Sequence, residues 1–487
     1  MAKTVDLSSL LRNNGTLSTR SKISLAWTLS VPAILSQLTS IVMQYSDAAM
    51  VGSLGASATA AIGVTSTTIW LFGNLYNAAC YGYSVQIANA VGAGDASRSR
   101  RLFRQGLTFN ILFSLFLMLI GLFLSRPLPG LLGADASLFA DATAYFMVYS
   151  LTIPLSDLRF YGSASLQSSG NMRIPGILNS LACLLNIVFN FLMIFPTRQI
   201  VLGNYSFICP GMGFGVMGAA LGTTISEGII ACIMLLFAFF REPYLSGRGN
   251  TDTTAASSCI TRSSRSVSSY IPTASYVKRA LQIGTPYAVE QCTRNVALIL
   301  ITMIITPLGT IAVAANSLAV TAEALCYMPA VGLSAAATTL VGQSIGAGRK
   351  DYAKSFAWIT TFFGMILLTI TGILMFFLCP FVFSILTPVP EVQALCIRIL
   401  RVELISEPLF AASLVISGAL RGAGDTLIPC ILALGSVWGV RLTLSLLLVG
   451  PFGLTGIWIA MCIELCVRGL LFLIRLGRGK WLNRPVH

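Results

Sequence analysis

The sequence predicts an all-α integral membrane protein with twelve transmembrane helices in two six-helix lobes that are related by a parallel repeat. Three observations support this prediction. The 487 residues are 55% hydrophobic and only 10% charged, whereas soluble domains carry about 25% charged residues. The apolar residues form runs of about 20 or more, the length that a helix needs to cross a bilayer. The second half of the chain also repeats the first at one constant offset.

Apolar segments separated by polar loops define the predicted spans. Several of them contain Gly or Pro, which membrane helices tolerate where neighbouring groups satisfy the freed backbone. The predicted ranges are, in order, 25–50, 57–84, 104–125, 140–166, 174–196, 213–240, 281–306, 311–340, 354–380, 393–420, 426–449 and 453–476.

Most Lys and Arg residues lie in alternate loops, which predicts that both termini are cytoplasmic. The loop 242–279 is rich in Ser and Thr and cannot bury enough apolar area to fold alone. We therefore interpret it as a flexible cytoplasmic linker. The predicted organisation is a cytoplasmic N-terminal tail (1–22), an N-lobe with helices 1–6 (23–241), this linker (242–279), a C-lobe with helices 7–12 (280–478) and a cytoplasmic C-terminal tail (479–487).

The internal repeat has an offset of 254 residues over some 140 positions. Six spans per half is an even number, so both halves insert with the same orientation. Such a parallel repeat predicts a binding site near the membrane midplane, between or within the halves, and favours a transporter over a channel or a membrane enzyme. The matching pairs include Pro32 and Pro286, Leu54-Gly55 and Leu308-Gly309, Gly92-Ala93-Gly94 and Gly346-Ala347-Gly348, and Ile174-Pro175 and Ile428-Pro429.

Composition argues against several other functions. The net charge of +14 comes from bases in short loops and does not indicate nucleic-acid binding. The only histidine is His487, the last residue, and the 12 cysteines form no CxxC pair or zinc spacing. No nucleophile, base and orienting residue can be assembled into a catalytic set. We expect no enzyme activity and no cofactor apart from a coupling ion, H⁺ or Na⁺.

Asp47 lies near the end of the first span. Insertion scales assign a central Asp a cost of roughly 2.5–3.5 kcal/mol. No base stands three or four residues away, and Gln44 is its only polar neighbour on that helix face. An acid without a cationic partner must be neutral or bind a cation. That is the property that a proton- or sodium-coupled exporter needs.

Asn186 and Asn190 are four residues apart in the fifth span, so they share one helix face. Amides that face lipid are costly, and we expect both to point inward. With Asp47 and Thr223 they offer carboxylate, carbonyl and hydroxyl oxygens, the ligand types of a hard cation. Na⁺ is therefore a candidate ligand at Asp47, Asn186 and Asn190. The alternative is that the two amides only form hydrogen bonds between helices.

The second half contains its own acids. Glu290 and Arg294 are four apart and could form an ion pair, but Pro286 makes an irregular helix and a functional Glu290 more favourable. Glu403 and Glu407 are also four apart, and their joint ionisation is unfavourable, which suits a proton relay. The alternative is that Glu403 reaches the outer interface, and we favour Glu407, just before Pro408, as the deeper of the two.

Four other acids lie inside predicted spans. Glu464 and Arg468 are spaced for a structural ion pair on one helix. For Asp157, Glu227 and Glu323, partnering with backbone or hydroxyl groups explains the residues at least as well as transport does.

Taken together, these features resemble the multidrug and toxic compound extrusion family over about residues 22–478. The resemblance rests on the order and common offset of the stretch Ser46-Asp47-Ala48-Ala49-Met50-Val51-Gly52, the two Gly-Ala-Gly loops, and Gly422-Ala423-Gly424-Asp425-Thr426 before Pro429. It implies a two-lobed exporter of organic cations that is driven by inward flow of H⁺ or Na⁺.

The resemblance also implies roles for individual residues. Asp47 would couple the cation in the N-lobe, and Asn186, Asn190 and, more loosely, Thr223 match the residues grouped with it. Glu290 matches an acid linked to a second cation site, which would be completed in the C-lobe by Glu407 or Glu403.

The sequence thus predicts a secondary active antiporter in the cytoplasmic (inner) membrane, monomeric, with small organic cations, H⁺ or Na⁺ and the lipid bilayer as its partners. A lipid-linked or polysaccharide flippase is the alternative, but its cavity should be rich in Arg to hold phosphates. Here eight acids against four bases, counted without the charged residues at the span edges, favour cationic cargo. A major-facilitator carrier is disfavoured because Val91-Gly92-Ala93-Gly94-Asp95 stands where its basic loop motif is expected.

Overall fold

The computed structural model describes residues 10–11, 17–132, 136–202, 205–246 and 269–483. The chain is an all-α membrane protein with twelve transmembrane helices in two six-helix halves. Most of the predicted linker and parts of both predicted tails lie outside the described residues.

The first half contains six long helices. Two short helical turns, Leu128–Leu131 and Ala136–Leu138, lie between the third and the fourth. The six are α1 (Thr19–Gly52), α2 (Ala56–Gly92), α3 (Ala96–Leu124), α4 (Phe139–Ser168), α5 (Arg173–Ile194) and α6 (Gly215–Phe240).

The second half begins with three continuous helices, α7 (Ala274–Ile305), α8 (Thr310–Gly346) and α9 (Lys350–Leu386). The tenth helix, α10, has two parts, Pro390–Glu403 and Glu407–Gly422, joined by the 3₁₀ turn Leu404–Ser406.

The last two spans form one helical run with two irregularities. Helix α11 begins with Leu427–Ser436, passes through the π turn Val437–Leu442 and continues into the helix Thr443–Arg478. That helix is broken at Gly453, whose φ of 57° and ψ of −138° are not helical. We name the part after this break α12. Each of the twelve predicted spans therefore corresponds to a helix.

Length and apolar composition identify eight spanning helices in the described part of the chain, with α11 and α12 merged as Leu427–Arg478. The remaining three, α2, α4 and α10, carry more polar groups. Helix α4 contains Asp157 and Arg159, and α10 contains Glu403 and Glu407. Charged groups inside a membrane face the protein interior, so these helices have polar side chains to place within the bundle.

A β-hairpin between α5 and α6 is an addition to the predicted architecture. Strands β1 (Pro196–Leu202) and β2 (Tyr205–Met212) pair antiparallel, with Leu202 opposite Tyr205 and Pro196 opposite Met212. Pairing of the two strands provides hydrogen-bond partners for the backbone N–H and C=O groups of this connection between α5 and α6.

The backbone repeats at the predicted offset. Three pairs of glycines 254 residues apart adopt positive φ at matching helix ends, where residues with a Cβ are disfavoured. They are Gly55 and Gly309 (φ 113° and 97°), Gly94 and Gly348 (76° and 74°), and Gly170 and Gly424 (96° and 78°).

The chain divides into two compact units, each with its own apolar core. In the first, Trp458 is buried and its indole N–H donates to Asn316 Oδ1 at 3.1 Å. In the second, Phe72 and Phe146 pack edge to face. The predicted lobe boundaries at 23–241 and 280–478 remain a prediction. The first unit consists of Met1–Leu38, Ala88–Gly94 and Gln282–His487, and the second of Thr39–Ile87 and Asp95–Leu281.

Within the first unit, the ends of α2 and α8 approach each other closely at two glycines. A Cβ at Gly92 would overlap the carbonyl oxygen of Gln343, and a Cβ at Gly346 would overlap that of Asn89. Because both residue pairs are related by the repeat offset, the two contacts are reciprocal. Only glycine, which has no Cβ, allows the backbones to come this close.

Candidate functional site

A chain of hydrogen bonds in the second unit links the four residues that were singled out in the N-lobe. Asn190 Nδ2 donates to Asp47 Oδ1 at 2.6 Å and to Asn186 Oδ1 at 3.2 Å. Asn186 Nδ2 donates to Thr223 Oγ1 at 3.0 Å, and the Thr223 hydroxyl donates to the Ala219 carbonyl at 3.0 Å. The chain runs from α6 through α5 to α1, so three helices position one carboxylate.

Close packing of α5 on α6 holds the amides in place. Asn186 and Asn190 are fully buried, one helical turn apart on α5. A Cβ at Gly222 on α6 would overlap Asn190 Oδ1 and lie 2.7 Å from the Asn190 backbone nitrogen. The missing side chain at Gly222 therefore gives Asn190 the room to reach Asp47.

Asp47 is hydrogen-bonded but not neutralised. The described residues form four ion pairs, and none of them includes Asp47. Tyr145 and Cys183 lie within electrostatic range of its carboxylate. A neutral amide donor steadies a carboxylate without cancelling its charge, so the group can still take a proton or meet a cation.

The donor set suits a small hard cation. Asn190 Oδ1 is buried and has no hydrogen-bond partner within the described part of the chain. The Asn190 amide nitrogen faces Asp47 and Asn186, so this oxygen points away from the carboxylate, and the amide must turn over before both oxygens can bind one cation. Oxygen ligands of these types are the ones that hard cations prefer.

A second polar group in the same unit has a different arrangement. Arg159 Nη2 lies 3.1 Å from Glu227 Oε1, and Arg159 Nη1 donates to Asn179 Oδ1 at 3.1 Å. The Ser156 hydroxyl also donates to Glu227 Oε2. Glu227 thus has an internal cation as its partner, a contact that the sequence analysis did not anticipate, since 68 residues separate the two side chains.

Asp157 is fully buried and belongs to a third, smaller cluster. It accepts a hydrogen bond from the Cys80 thiol, with a sulfur–oxygen distance of 3.0 Å. Cys80 also lies 3.3 Å from Asn110 Oδ1. The Ser114 hydroxyl also forms a hydrogen bond with Asp157, so a hydroxyl of the expected kind and a thiol are its partners.

In the first unit, Glu290 lies beside two guanidinium groups. Glu290, Arg294 and Arg468 line one small pocket with Ala433, Leu434 and Val437. Arg294 donates to Gln291 Oε1, and the described ion pairs do not include Glu290 with Arg294. The spacing of four residues thus brings the pair to a common pocket without a direct contact.

Glu403 and Glu407 are both fully buried, at the two sides of the break in α10. The Ser406 hydroxyl lies 3.4 Å from Glu403 Oε1, and both Glu407 carboxylate oxygens lack a hydrogen-bond partner among the described residues. The 3₁₀ turn between them replaces the regular helix face that their spacing predicts. Glu323 on α8 is within electrostatic range of both carboxylates.

Arg441, one of the four bases counted inside the predicted spans, adds a positive charge to this region. It lies in the π turn of α11 and is within electrostatic range of Glu323, Glu403 and Glu464. Nothing in its sequence context indicates a π turn. Arg468 lines the pocket of Glu290 and is also within electrostatic range of Glu323. The pairing of Glu290 with Glu407 or Glu403 in one site remains a prediction.

Glu464 and Arg468 form the predicted ion pair. Glu464 Oε1 lies 3.2 Å from Arg468 Nε and accepts a hydrogen bond from the Ser436 hydroxyl at 2.7 Å. Its carboxylate is completely buried. The ion pair lies within α12, and the hydrogen bond from Ser436 joins it to α11 in the first unit.

Comparison with known proteins shows one consistent pattern. The MatE family model matches residues 32–192 and 286–447, once in each half. Probable multidrug resistance protein NorM of Thermotoga maritima is 28% identical over 469 residues, which cover 94% of this chain and 93% of the relative. Multidrug resistance protein MdtK of Yersinia pestis is 23% identical over 465 residues, with 94% of each chain covered.

Solved structures show the same fold. A multidrug resistance MATE family transporter of the MOP superfamily in an outward-facing conformation has a TM-score of 0.85 and 20% identity, over 99% of this chain and 100% of that one. The Vibrio cholerae MATE transporter VcmN in its bent form has a TM-score of 0.80 and 17% identity, over 95% of this chain and 97% of that one.

Proposed function

The chain belongs to the MatE family of multidrug and toxic compound extrusion transporters, and from this premise we propose that it exports organic cations in exchange for H⁺ or Na⁺. The named relatives are multidrug resistance proteins, which favours drug-like cargo. The protein would act in the cytoplasmic membrane as a monomer, with both termini in the cytoplasm.

The state of Asp47 carries the proposal. Its carboxylate accepts a hydrogen bond from a neutral amide at 2.6 Å and has no ion-pair partner among the described residues. Such a group can exchange one cationic partner for another. A carboxylate already paired with an arginine, as Glu227 is with Arg159, has its charge cancelled within the protein.

Competition for this negative charge would couple the two flows. An organic cation enters from the cytoplasm or the inner leaflet, its charge meets a carboxylate, and aromatic and Met side chains bury its apolar body. On the opposite side, H⁺ or Na⁺ takes the carboxylate and the organic cation leaves. The two halves would rock so that the site opens to one side at a time.

The C-lobe acids are candidates for a second coupling site. Glu403 and Glu407 are buried close to Glu323, and the Glu407 oxygens lack a hydrogen-bond partner among the described residues. Buried carboxylates that lie close together are not all ionised at once, so protons can bind there. Glu290 lies near Arg294 and Arg468, and we propose that it contacts cargo less directly than Asp47 does.

Drug resistance of cells tests the proposal. Asp47→Asn removes the charge but keeps the shape, and we expect cells that express it to be as sensitive to lipophilic cations as cells without the transporter. Asp141→Asn is the matched control, because Asp141 is an exposed acid in the first turn of α4. Equal expression and an unchanged elution profile show that both variants fold. Wild-type resistance in the Asp47→Asn strain would refute the role of this carboxylate.

A further inference from the structure

Two helices begin with basic residues, and both of these stretches lie in the second unit. Residues 96–104 at the start of α3 contain four arginines and no acid, and residues 274–281 at the start of α7 contain two bases and no acid. The bases are Arg98, Arg100, Arg101, Arg104, Lys278 and Arg279.

The start of α7 lies against α3, because Gln105 Oε1 accepts hydrogen bonds at 3.0 Å from the Thr273 backbone N–H and from the Thr273 hydroxyl. We call Arg98, Arg100, Arg104 and Arg279, which lie around this contact, the arginine cluster. Arg100 and Arg104 stand one helical turn apart and repel each other. Arg98 and Arg279 repel each other across the two helices. All four are half-buried, whereas Arg101 and Lys278 are exposed.

Arg100 donates hydrogen bonds to the Ser246 carbonyl and the Ser97 hydroxyl, both at 3.4 Å. Asp95, the N-cap residue of α3, is the acid within electrostatic range of Arg100. The arginines of α3 also lie at the positive end of the helix dipole, where bases are destabilising. The positive-inside rule explains why Lys and Arg lie on the cytoplasmic side of the membrane. It does not explain why several arginines lie around one contact between two helices.

The surroundings of the arginine cluster are amphipathic. Arg104 Nη1 donates to Ser269 Oγ at 3.2 Å, and the Arg104 guanidinium lies over the Tyr270 ring at 5.4 Å. Tyr270 and Ile271 are 38% and 61% exposed. The Arg104 guanidinium therefore lies next to an exposed aromatic side chain, and an exposed aliphatic residue follows it in the chain, at the end of two membrane-spanning helices.

A phospholipid headgroup fits this combination. Guanidinium groups bind phosphate oxygens through paired charge-assisted hydrogen bonds. In the orientation proposed above, this end faces the cytoplasmic leaflet, whose anionic lipids attract basic residues. We propose that the arginine cluster binds the phosphate of an anionic phospholipid, with Tyr270 and Ile271 beside the glycerol backbone and the first part of the acyl chains.

The exposed apolar residues favour a lipid over a soluble phosphate. A free phosphate ion would gain nothing from Tyr270 or Ile271, whereas an acyl chain covers both. Bound lipid would also neutralise the repulsion between the starts of α3 and α7. The transporter should therefore be more stable with anionic lipid than with zwitterionic lipid.

Titration of the purified full-length protein in detergent with fluorescent phosphatidylglycerol tests the proposal. We expect Arg100→Gln/Arg104→Gln to weaken binding about tenfold or more, since each base near an anionic headgroup adds to the attraction. The matched control is Arg101→Gln/Lys278→Gln, which loses the same charge from exposed positions and should bind within about twofold of the wild type. Arg100→Lys/Arg104→Lys keeps the charge and tests the paired geometry if the Gln variant does not elute as a folded protein.

Two arms of the titration separate the sources of phosphate. Phosphatidylcholine should bind the wild type and both Gln variants equally weakly, and excess glycerol 3-phosphate should not displace phosphatidylglycerol. Equal loss of binding in the two Gln variants would show only a diffuse charge effect and would overturn the site. Displacement by glycerol 3-phosphate would overturn the lipid as its ligand.

Discussion

Asp47 and Glu227 are two acids in one compact unit with opposite electrostatic partners. Asp47 accepts from an amide at 2.6 Å, while Glu227 lies 3.1 Å from a guanidinium. A charge that is balanced inside the protein is not available to a passing cation. We therefore propose that Asp47 serves cargo exchange and that Glu227 stabilises the packing of α4 on α6.

The Arg159–Glu227 pair can be tested by thermal unfolding in detergent. Arg159→Met leaves Glu227 inside the protein without its cation. We expect the free energy of unfolding to fall by about 3 kcal/mol, the low end of the range for a broken buried ion pair. Arg159→Met/Glu227→Met removes both charges and should recover at least half of that loss. Arg349→Met, which breaks an exposed pair with Asp351, is the control and should cost little. A double variant less stable than Arg159→Met would contradict a structural role.

Spacing along one helix is the part of the site that can be read from sequence. The shared face of Asn186 and Asn190 follows from a separation of four residues, and so does the Glu464–Arg468 pair. The bond from Asn190 to Asp47 spans 143 residues and depends on how α1 packs against α5. Arg159 on α4 and Glu227 on α6 meet because these two helices pack against each other. The local sequence pattern could not predict this pairing either.

At the scale of elements, Gly222 controls the α5–α6 contact at the site. Gly222→Ala places a methyl group where Asn190 Oδ1 now lies, so the amide must move away from Asp47. We expect efflux of a fluorescent organic cation to fall by more than half while the protein still folds. Gly63→Ala on α2, where a Cβ would meet nothing within 4 Å, is the control and should transport normally. Full activity of Gly222→Ala would show that the Asn190–Asp47 bond is dispensable.

The reciprocal contact of α2 with α8 makes a separate prediction. A methyl group at Gly92 or Gly346 would overlap a carbonyl oxygen of the facing helix, which is backbone and cannot rotate away. Gly92→Ala and Gly346→Ala should therefore lower the unfolding temperature by similar amounts, because the repeat relates the two sites. Thermal unfolding next to Gly435→Ala, where the space is open, measures the effect. Strongly unequal losses would contradict the reciprocity.

Irregular elements were the least predictable from sequence. The 3₁₀ turn in α10 and the π turn at Arg441 arise from packing and have no distinct local pattern. The β-hairpin does have one, because Gly203-Asn204 separates two runs rich in β-branched and aromatic residues, a typical hairpin signature. The hairpin was not predicted because hydropathy distinguishes only membrane spans from loops, and this segment was assigned to the loop between two spans.

At the scale of the whole molecule, the repeat relates backbones and not charges. The glycine pairs recur 254 residues apart, but that offset carries Asp47 to Ile301 and Glu290 back to Ser36. The twelve helices and their repeat were predictable because hydrophobic length and Gly and Pro positions are local signals. The partners of the charged residues in each half were not predictable, since they depend on which side chains meet after folding.

The most direct test of the account is efflux from energised membrane vesicles. Vesicles that contain the transporter are loaded with a fluorescent organic cation, and the proton and sodium gradients are collapsed separately. We predict that collapse of one of the two gradients stops efflux by the wild type, and that Asp47→Asn shows no gradient-driven efflux under any condition. Wild-type efflux that continues after both gradients are collapsed would contradict coupling through Asp47 and the antiport mechanism itself.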